Sequence, residues 1–172
     1  MNAITLYRAS RWAYLHKLPF LPKLLHDLNY LIFHCHIPPE AQIGKGTVFG
    51  YGGMGCVVHQ TCIIGENCII GYGTTLGSKR RDSGGPIIGD SVYIATGSKL
   101  LGRIRVGDGA VIGANSVCTH DVPERCAAAG IPARIIEDDI DVRDISTHIG
   151  VNEDLVRRIE EAKAAKSKEA ND

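Results

Sequence analysis

The sequence predicts a mainly β protein: a solenoid of very short strands with helical segments at its two ends. Three observations predict this class. Glycine accounts for 20 of the 172 residues, well above the usual share of roughly 7%, and nearly all of it lies between Gly44 and Gly113. The first 43 residues contain no glycine, yet they hold six of the ten aromatic residues. Between the glycines, aliphatic residues recur at every sixth position, which indicates a repeat architecture.

The N-terminal segment, residues 1–36, is predicted to form a helical cap. Apolar residues recur at helical spacing over residues 1–18 and 21–33, and Pro19 and Pro22 mark the junction. A solenoid needs such a cap at its ends. We therefore expect the large apolar side chains of the segment to face the core: Leu6, Trp12, Leu15, Leu24, Leu28 and Leu31. Four basic residues keep a membrane-surface role open: Arg8, Arg11, Lys17 and Lys23.

The central part, residues 37–136, carries the repeat. Nine of ten positions on one six-residue lattice are aliphatic, with Asp82 as the exception: Val58, Ile64, Ile70, Leu76, Ile88, Ile94, Leu100, Val106 and Ile112. This spacing fits three short strands per triangular coil, with the aliphatic residues buried between coils. The position two before the aliphatic residue is mostly small, and we interpret its cysteines as buried structural side chains: Cys56, Cys62 and Cys68. Residues 137–172 are predicted to be a C-terminal extension with a helix from Asn152.

Several motifs identify a resemblance. The stretches Ile43-Gly44-Lys45-Gly46, Val106-Gly107-Asp108-Gly109-Ala110 and Ala129-Gly130-Ile131-Pro132-Ala133-Arg134 resemble the hexapeptide-repeat acyltransferases, and most of all the serine acetyltransferases. The resemblance implies a left-handed parallel β-helix, a homotrimer and acetyl-CoA as co-substrate. Only about 36 residues stand where typical serine acetyltransferases carry a long helical domain, so the chain looks like a short form.

One histidine breaks the pattern of the repeat. The position after the lattice aliphatic is non-polar in every regular coil, but after Val58 it is His59, which follows a glycine-rich bulge at residues 50–55. Serine acetyltransferases carry a catalytic histidine in the corresponding coil. By direct register that histidine falls on Tyr51, whereas related hexapeptide enzymes place it just after an aliphatic pair, as His59 is here. We predict that His59 is the general base, that amides of the bulge stabilise the oxyanion, and that His36 has a supporting role.

The resemblance also implies substrate and cofactor residues. The second break in the lattice is a polar loop from Ser78 to Gly85, and in the family this loop reaches the substrate. We predict that Tyr51, Arg80 and Arg81 bind the acceptor, since an arginine can form a forked pair with a carboxylate or phosphate. The predicted acetyl-CoA residues are Gly77, Thr96, Gly97, Ala114, Asn115 and Arg134, in a groove between two subunits. No metal ligands are predicted.

Composition and charge exclude some functions and leave others open. A formal net charge of zero argues against nucleic acid as the main partner. The longest apolar run near the N-terminus is too short to span a membrane, and a secretory signal is not recognisable, so we expect a cytoplasmic protein. The acceptor is a small molecule with a hydroxyl group: serine, or a sugar of a polysaccharide precursor, where an amino sugar would give N-acetylation.

Two further classes remain as alternatives. A zinc enzyme of the γ-type carbonic anhydrase kind needs three histidines on the coils, and His59 is the only histidine within the six-residue lattice, residues 58–112. A non-catalytic trimeric scaffold would neither bind acetyl-CoA nor depend on His59 for anything but stability.

Overall fold

The computed structural model describes residues 2–80 and 84–140 and shows two helices followed by a parallel β-solenoid. Helix α1 spans Ala3–Leu15 and helix α2 spans Leu21–Phe33. Fourteen short strands follow within the described residues: β1 Gln42–Ile43, β2 Val48–Phe49, β3 Val57–Val58, β4 Ile63–Ile64, β5 Ile69–Ile70, β6 Thr75–Gly77, β7 Ile87–Ile88, β8 Tyr93–Ile94, β9 Lys99–Leu101, β10 Arg105–Val106, β11 Val111–Ile112, β12 Val117–Cys118, β13 Ala127–Gly130 and β14 Ala133–Glu137. The helix expected from Asn152 lies outside the described residues.

The strands form three sheets, which are the three faces of a triangular prism. The sheet orders are β1-β4-β7-β10, β2-β5-β8-β11-β13 and β3-β6-β9-β12, with all neighbours parallel. Strand β14 closes the second sheet by pairing antiparallel to β13. Each coil of the chain therefore adds one strand to each sheet, and about four coils stack along the axis. The predicted left-handed parallel β-helix is confirmed.

The six-residue lattice points into the prism as predicted. All nine lattice aliphatics, from Val58 to Ile112, are at most 2% exposed. The cysteines are buried with them, and each keeps a free thiol. Burial raises the pKa of the Cys62 thiol to about 12, because a thiolate loses its hydration there. Their interpretation as small structural side chains is confirmed.

The glycines between strands allow the coils to stack closely. A β-carbon on Gly65 would lie 2.4 Å from the carbonyl oxygen of Gly89, one coil above. One on Gly44 would lie 2.6 Å from the backbone of Gly65. These distances leave no space for a methyl group, so glycine at these turns is a requirement of close backbone approach.

Two coils are longer than the rest. Gln42 pairs with Ile63, 21 residues on; Ile63 pairs with Ile87, 24 residues on; and Ile87 pairs with Arg105, only 18 residues on. The extra residues of the first coil form a tight turn at Gly50–Gly53, in which Tyr51 and Gly52 have positive φ. Those of the second coil belong to the loop after β6. Both predicted breaks in the repeat are therefore insertions at corners of the prism.

The prediction for the helical cap is wrong in one respect. A different face of α1 packs on the core, and its buried residues are Ala3, Ile4, Tyr7, Ser10 and Ala13. Most of the large apolar residues expected in the core point outward and are exposed: Trp12, Leu15, Leu24, Leu28 and Leu31. A hydrogen bond adds to the packing of the cap, since the Tyr7 hydroxyl donates to the Ala41 carbonyl at 2.5 Å. In the part of the chain that is described, no helix is long and apolar enough to cross a membrane.

Candidate active site

His59 lies at the corner where the chain passes from strand β3 to strand β4. Its backbone N–H donates to the Leu76 carbonyl of the next coil, and its own carbonyl accepts from the Cys62 N–H. The backbone of the histidine is thus fixed on both sides, while the side chain is half-buried. We call the stack of turns at this edge, residues 59–62, 78–80, 84–86, 102–104 and 119–121, the His59 corner.

The imidazole of His59 is held by Thr61. Its Nδ1 lies 2.9 Å from the Thr61 hydroxyl, and the Thr61 backbone N–H points at the same nitrogen from 3.3 Å. The Thr61 hydroxyl oxygen also accepts a hydrogen bond from the Gly85 N–H at 2.8 Å. Nδ1 is therefore turned toward the protein. The proton-accepting nitrogen left for chemistry is Nε2.

The polar loop after β6 lies at the same corner. Lys79 and Arg80 are exposed there, whereas Arg81 lies outside the described residues. Where the loop returns, Gly84 passes Thr61 and Arg103: a β-carbon on this glycine would lie 3.4 Å from the Thr61 hydroxyl and 3.9 Å from Arg103 Cδ. The structure therefore brings His59 together with the loop that carries Arg80, and gives the corner a cationic character.

His36, the predicted supporting residue, pairs with a different partner. It forms a parallel bridge with Val57 and lies edge-on to the His26 ring, with 4.8 Å between ring centroids. Desolvation, and then the His26 ring, lower the pKa of His36 against an opposing effect of Glu40. None of the described contacts of His36 reaches the His59 ring.

Tyr51 lies at the preceding corner of the same coil, on the other side of strand β3. Its backbone adopts a left-handed conformation with φ of 50°, and its ring, 80% exposed, packs edge-to-face on Tyr72 at 5.3 Å. The glycine bulge lies here too. We call this edge, residues 50–56, 71–74, 95–98 and 113–116, the Tyr51 corner. Within one chain, Tyr51 and the bulge amides are thus separated from His59 by a strand.

The predicted acetyl-CoA residues divide between the two corners. Four of them stack on the Tyr51 corner, where the Asn115 N–H donates to the Thr96 carbonyl at 2.9 Å: Thr96, Gly97, Ala114 and Asn115. Gly77 ends strand β6 at the His59 corner. Arg134 lies on β14 and lines a cavity of about 290 Å³ at the C-terminal end of that corner.

This cavity contains residues that the repeat pattern did not single out. Its lining combines apolar and polar side chains: Cys118, Thr119, His120, Asp121, Val122, Ala128, Ala133, Arg134 and Ile135. The turn at 119–121 lies three strand spacings along the axis from the turn at His59, or about 14 Å at the usual spacing. Between the two turns, the positions in register with His59 are Gly77 and Leu101. The His59 turn and the Arg134 cavity therefore lie on the same edge of the solenoid, with one glycine and one leucine between them.

Sequence reasoning missed Thr61 and Gly85. Both are ordinary turn residues in the repeat, and only their distance to the His59 side chain distinguishes them. Among residues 2–80 and 84–140, no group of three or more His, Cys, Asp or Glu side chains is arranged to hold a metal ion.

Comparison with known proteins gives a consistent result. Residues 85–120 match the family model of the bacterial transferase hexapeptide, six repeats. The chain is 40% identical over 137 residues to a serine acetyltransferase of Synechococcus elongatus, covering 78% of this chain and 56% of the relative. A Brucella abortus serine acetyltransferase in complex with coenzyme A superposes with a TM-score of 0.75 at 36% identity, covering 79% of this chain and 55% of that one.

A second solved structure, soybean serine acetyltransferase complexed with serine, superposes with a TM-score of 0.74 at 38% identity, covering 78% of this chain and 56% of that one. The chain thus spans slightly more than half the length of the proteins it matches. Its repeat, its fold and its sequence agree. The chain is therefore a hexapeptide-repeat β-helix in fold, and its similarity in sequence and structure is to the serine acetyltransferases.

Proposed function

We propose that this chain is an acetyl-CoA-dependent O-acetyltransferase that uses His59 as general base. The observation that carries the proposal is the His59 corner itself. A half-buried histidine, oriented by a hydroxyl at 2.9 Å, lies beside a cationic loop and on the same edge of the solenoid as the Arg134 cavity. The similarity to serine acetyltransferases, one of them solved with coenzyme A, supports the same reaction.

The chemistry follows from what transfer to a hydroxyl requires. A hydroxyl is a poor nucleophile at neutral pH, and a neutral imidazole can take its proton as it attacks. In the proposed reaction Nε2 of His59 removes the acceptor proton while the acceptor oxygen bonds to the thioester carbonyl carbon. The tetrahedral intermediate collapses, the carbon–sulfur bond breaks, and the imidazolium returns its proton to the departing CoA thiolate. The products are the acetyl ester and CoA, so no covalent enzyme intermediate is required.

The co-substrate would lie along the axis of the solenoid. We propose that Arg134 meets the nucleotide phosphates and that the pantetheine arm runs along this edge past Gly77 and Leu101, over the distance of about 14 Å between the turn at His59 and the turn at residues 119–121. The stack at Thr96, Gly97, Ala114 and Asn115 lies on the other corner of the same chain. In a homotrimer a neighbouring subunit would supply that stack, so a groove between subunits accounts for both sets of residues.

The acceptor is proposed to be a small molecule with a hydroxyl group, bound at the loop and at Tyr51. Serine is the first candidate, since a similar structure is a complex with serine, and Arg80 or Arg81 offers a forked partner for its carboxylate. A sugar is the second candidate. The exposed Tyr51–Tyr72 pair favours it, because aromatic faces pack well on sugar rings. An amino sugar would make the same chemistry an N-acetylation. We expect the reaction in the cytoplasm, where acetyl-CoA is available.

The test is turnover of acetyl-CoA with a panel of acceptors, followed by the loss of thioester ultraviolet absorbance and by mass analysis of the product. We expect His59→Ala to lower kcat by about 100-fold or more, while His16→Gln, which changes an exposed histidine just after α1, keeps the wild-type rate. Arg80→Ala should raise KM for serine but not for a neutral sugar. Full activity of His59→Ala would refute the mechanism, and a wild-type chain without turnover on any acceptor would favour the scaffold.

A further inference from the structure

We propose that Thr61 is a positioning residue that allows His59 to act as a base at Nε2. This inference rests on the proposed function, because it assigns Thr61 a role only through His59. The two contacts on Nδ1 differ in kind. The backbone N–H of Thr61, at 3.3 Å, can only donate, whereas the Thr61 hydroxyl, at 2.9 Å, can donate or accept.

The hydroxyl has the capacity to serve both protonation states of the ring. Its oxygen has two acceptor positions, and the Gly85 N–H occupies one of them at 2.8 Å. The other is available for a proton on Nδ1. When the ring carries its proton on Nε2, the hydroxyl can instead turn its own hydrogen toward Nδ1. Thr61 therefore supports the resting ring, the base-competent tautomer and the imidazolium.

The backbone N–H alone would support only one of these states. A donor aimed at Nδ1 favours a lone pair on that nitrogen, which places the ring proton on Nε2 and leaves no base there. It also opposes the imidazolium, which carries protons on both nitrogens. A chain without the Thr61 hydroxyl should consequently bind its substrates but accept the acceptor proton poorly.

The loop holds the hydroxyl in position. The Gly85 N–H reaches Thr61 because Gly85 packs tightly against the turn: a β-carbon there would lie 2.5 Å from Cys62 Sγ and 3.2 Å from the β-carbon of His59. The hydroxyl is thus fixed from one side by Gly85 and contacts the ring on the other. Through its contact with Gly85, Thr61 therefore connects the end of the polar loop after β6 to the His59 ring.

The test compares Thr61→Val with Thr61→Ser. Valine keeps the shape but removes the hydroxyl, so we expect kcat to fall about tenfold, the size of one hydrogen bond to a charged group, with KM for acetyl-CoA unchanged. Serine restores the hydroxyl and should restore the rate. Gln60→Ala, an exposed change in the same turn, serves as the control. Equal kcat values for Thr61→Val and wild type, beside an inactive His59→Ala, would overturn the inference and leave the proposed function intact.

The pH dependence separates positioning from a structural effect. In Thr61→Val the imidazolium loses its acceptor, so the acidic limb of the kcat/KM profile should move to lower pH by about one unit. The plateau value of kcat/KM should also be lower than that of the wild type. Among the described residues, the other titratable and charged groups of this corner are the same in both chains: Cys62, Lys79, Arg80, Arg103, His120 and Asp121. An unchanged limb would contradict the proposal.

A readout without turnover keeps the inference testable if the proposed function fails. The ¹⁵N and ¹³C signals of the His59 ring, assigned with His59→Gln, report its tautomer and its titration midpoint in the isolated protein. We expect more Nε2–H tautomer and a lower midpoint in Thr61→Val, and wild-type values in Thr61→Ser. Identical spectra for wild type and Thr61→Val would refute the role of Thr61 whatever the activity.

Discussion

Substituting alanine for Gly65 should separate the stacked coils. The added β-carbon would lie 2.4 Å from the Gly89 carbonyl oxygen and 2.6 Å from its carbonyl carbon, and both are backbone atoms of the next coil. A side chain could rotate away, but these atoms are held by the ladder, in which the Gly65 N–H donates to the Ile88 carbonyl. Relief requires the coils to move apart. Overpacking of this kind costs about 1–3 kcal/mol or more.

The matched control is Gly50→Ala. The nearest atom to a β-carbon on Gly50 is the Ile70 carbonyl oxygen at 3.6 Å, which is ordinary contact. This change should be neutral, or slightly stabilising because alanine restricts the unfolded chain. Thermal unfolding followed by far-ultraviolet circular dichroism measures both. For a chain of this size, about 3 kcal/mol corresponds to a decrease in Tm of roughly 6–12 °C. A Gly65→Ala chain with a wild-type Tm would refute the explanation of the turn glycines by close stacking.

Three further predictions concern the cofactor, the cap and the core. Arg134→Ala should raise KM for acetyl-CoA about tenfold with little change in kcat, while Arg105→Ala, on the outer face of a strand, has no effect on initial rates. Tyr7→Phe removes the hydrogen bond to Ala41 and should lower the free energy of unfolding in urea by about 1 kcal/mol. Tyr30→Phe, which changes an exposed ring, should leave it unchanged. Equal free energies of unfolding for the two variants would contradict a stabilising role of the Tyr7 hydroxyl. Burial raises the pKa of Cys62 from 9.0 to about 12. The free energy of unfolding should therefore decrease as the pH rises above about 9, where the thiol ionises in the unfolded chain but not in the folded one. A free energy of unfolding that is constant up to about pH 11 would contradict this prediction.

The period of the repeat predicts the core well because it is a local property. Each lattice aliphatic, such as Ile70 or Leu100, faces inward for the same reason in each coil. The handedness does not follow from the period, and only the resemblance supplied it. The cap shows the limit of helical spacing: the face of α1 that packs on the core carries Ala3, Tyr7 and Ala13, whereas Trp12 and Leu15 point outward.

The site was predicted only in part, for a geometric reason. His59 and the loop stand out in sequence because they break the repeat, and they lie at one corner, whereas the glycine bulge before His59 lies at the Tyr51 corner. Tyr51 is eight residues from His59 in sequence, yet one strand places it at the next corner. Thr61 carries no sequence signal, since threonine is common in such turns. Its contact with Nδ1 arises from the folding of the turn and from Gly85 above it.

The six buried thiols can serve as probes of local opening along the solenoid. Their positions sample the prism from one end to the other, from Cys35 beside the cap to Cys126 at the last coil. A thiol-modifying reagent can reach each of them only when that level of the stack opens, so the order of modification, resolved by mass spectrometry, would show which end frays first. While the protein stays closed, the same reagent would register only the CoA released into solution. Thiol modification of the native chain can therefore show where the solenoid opens locally, and the buried cysteines of the closed protein should add no signal to an assay of released CoA.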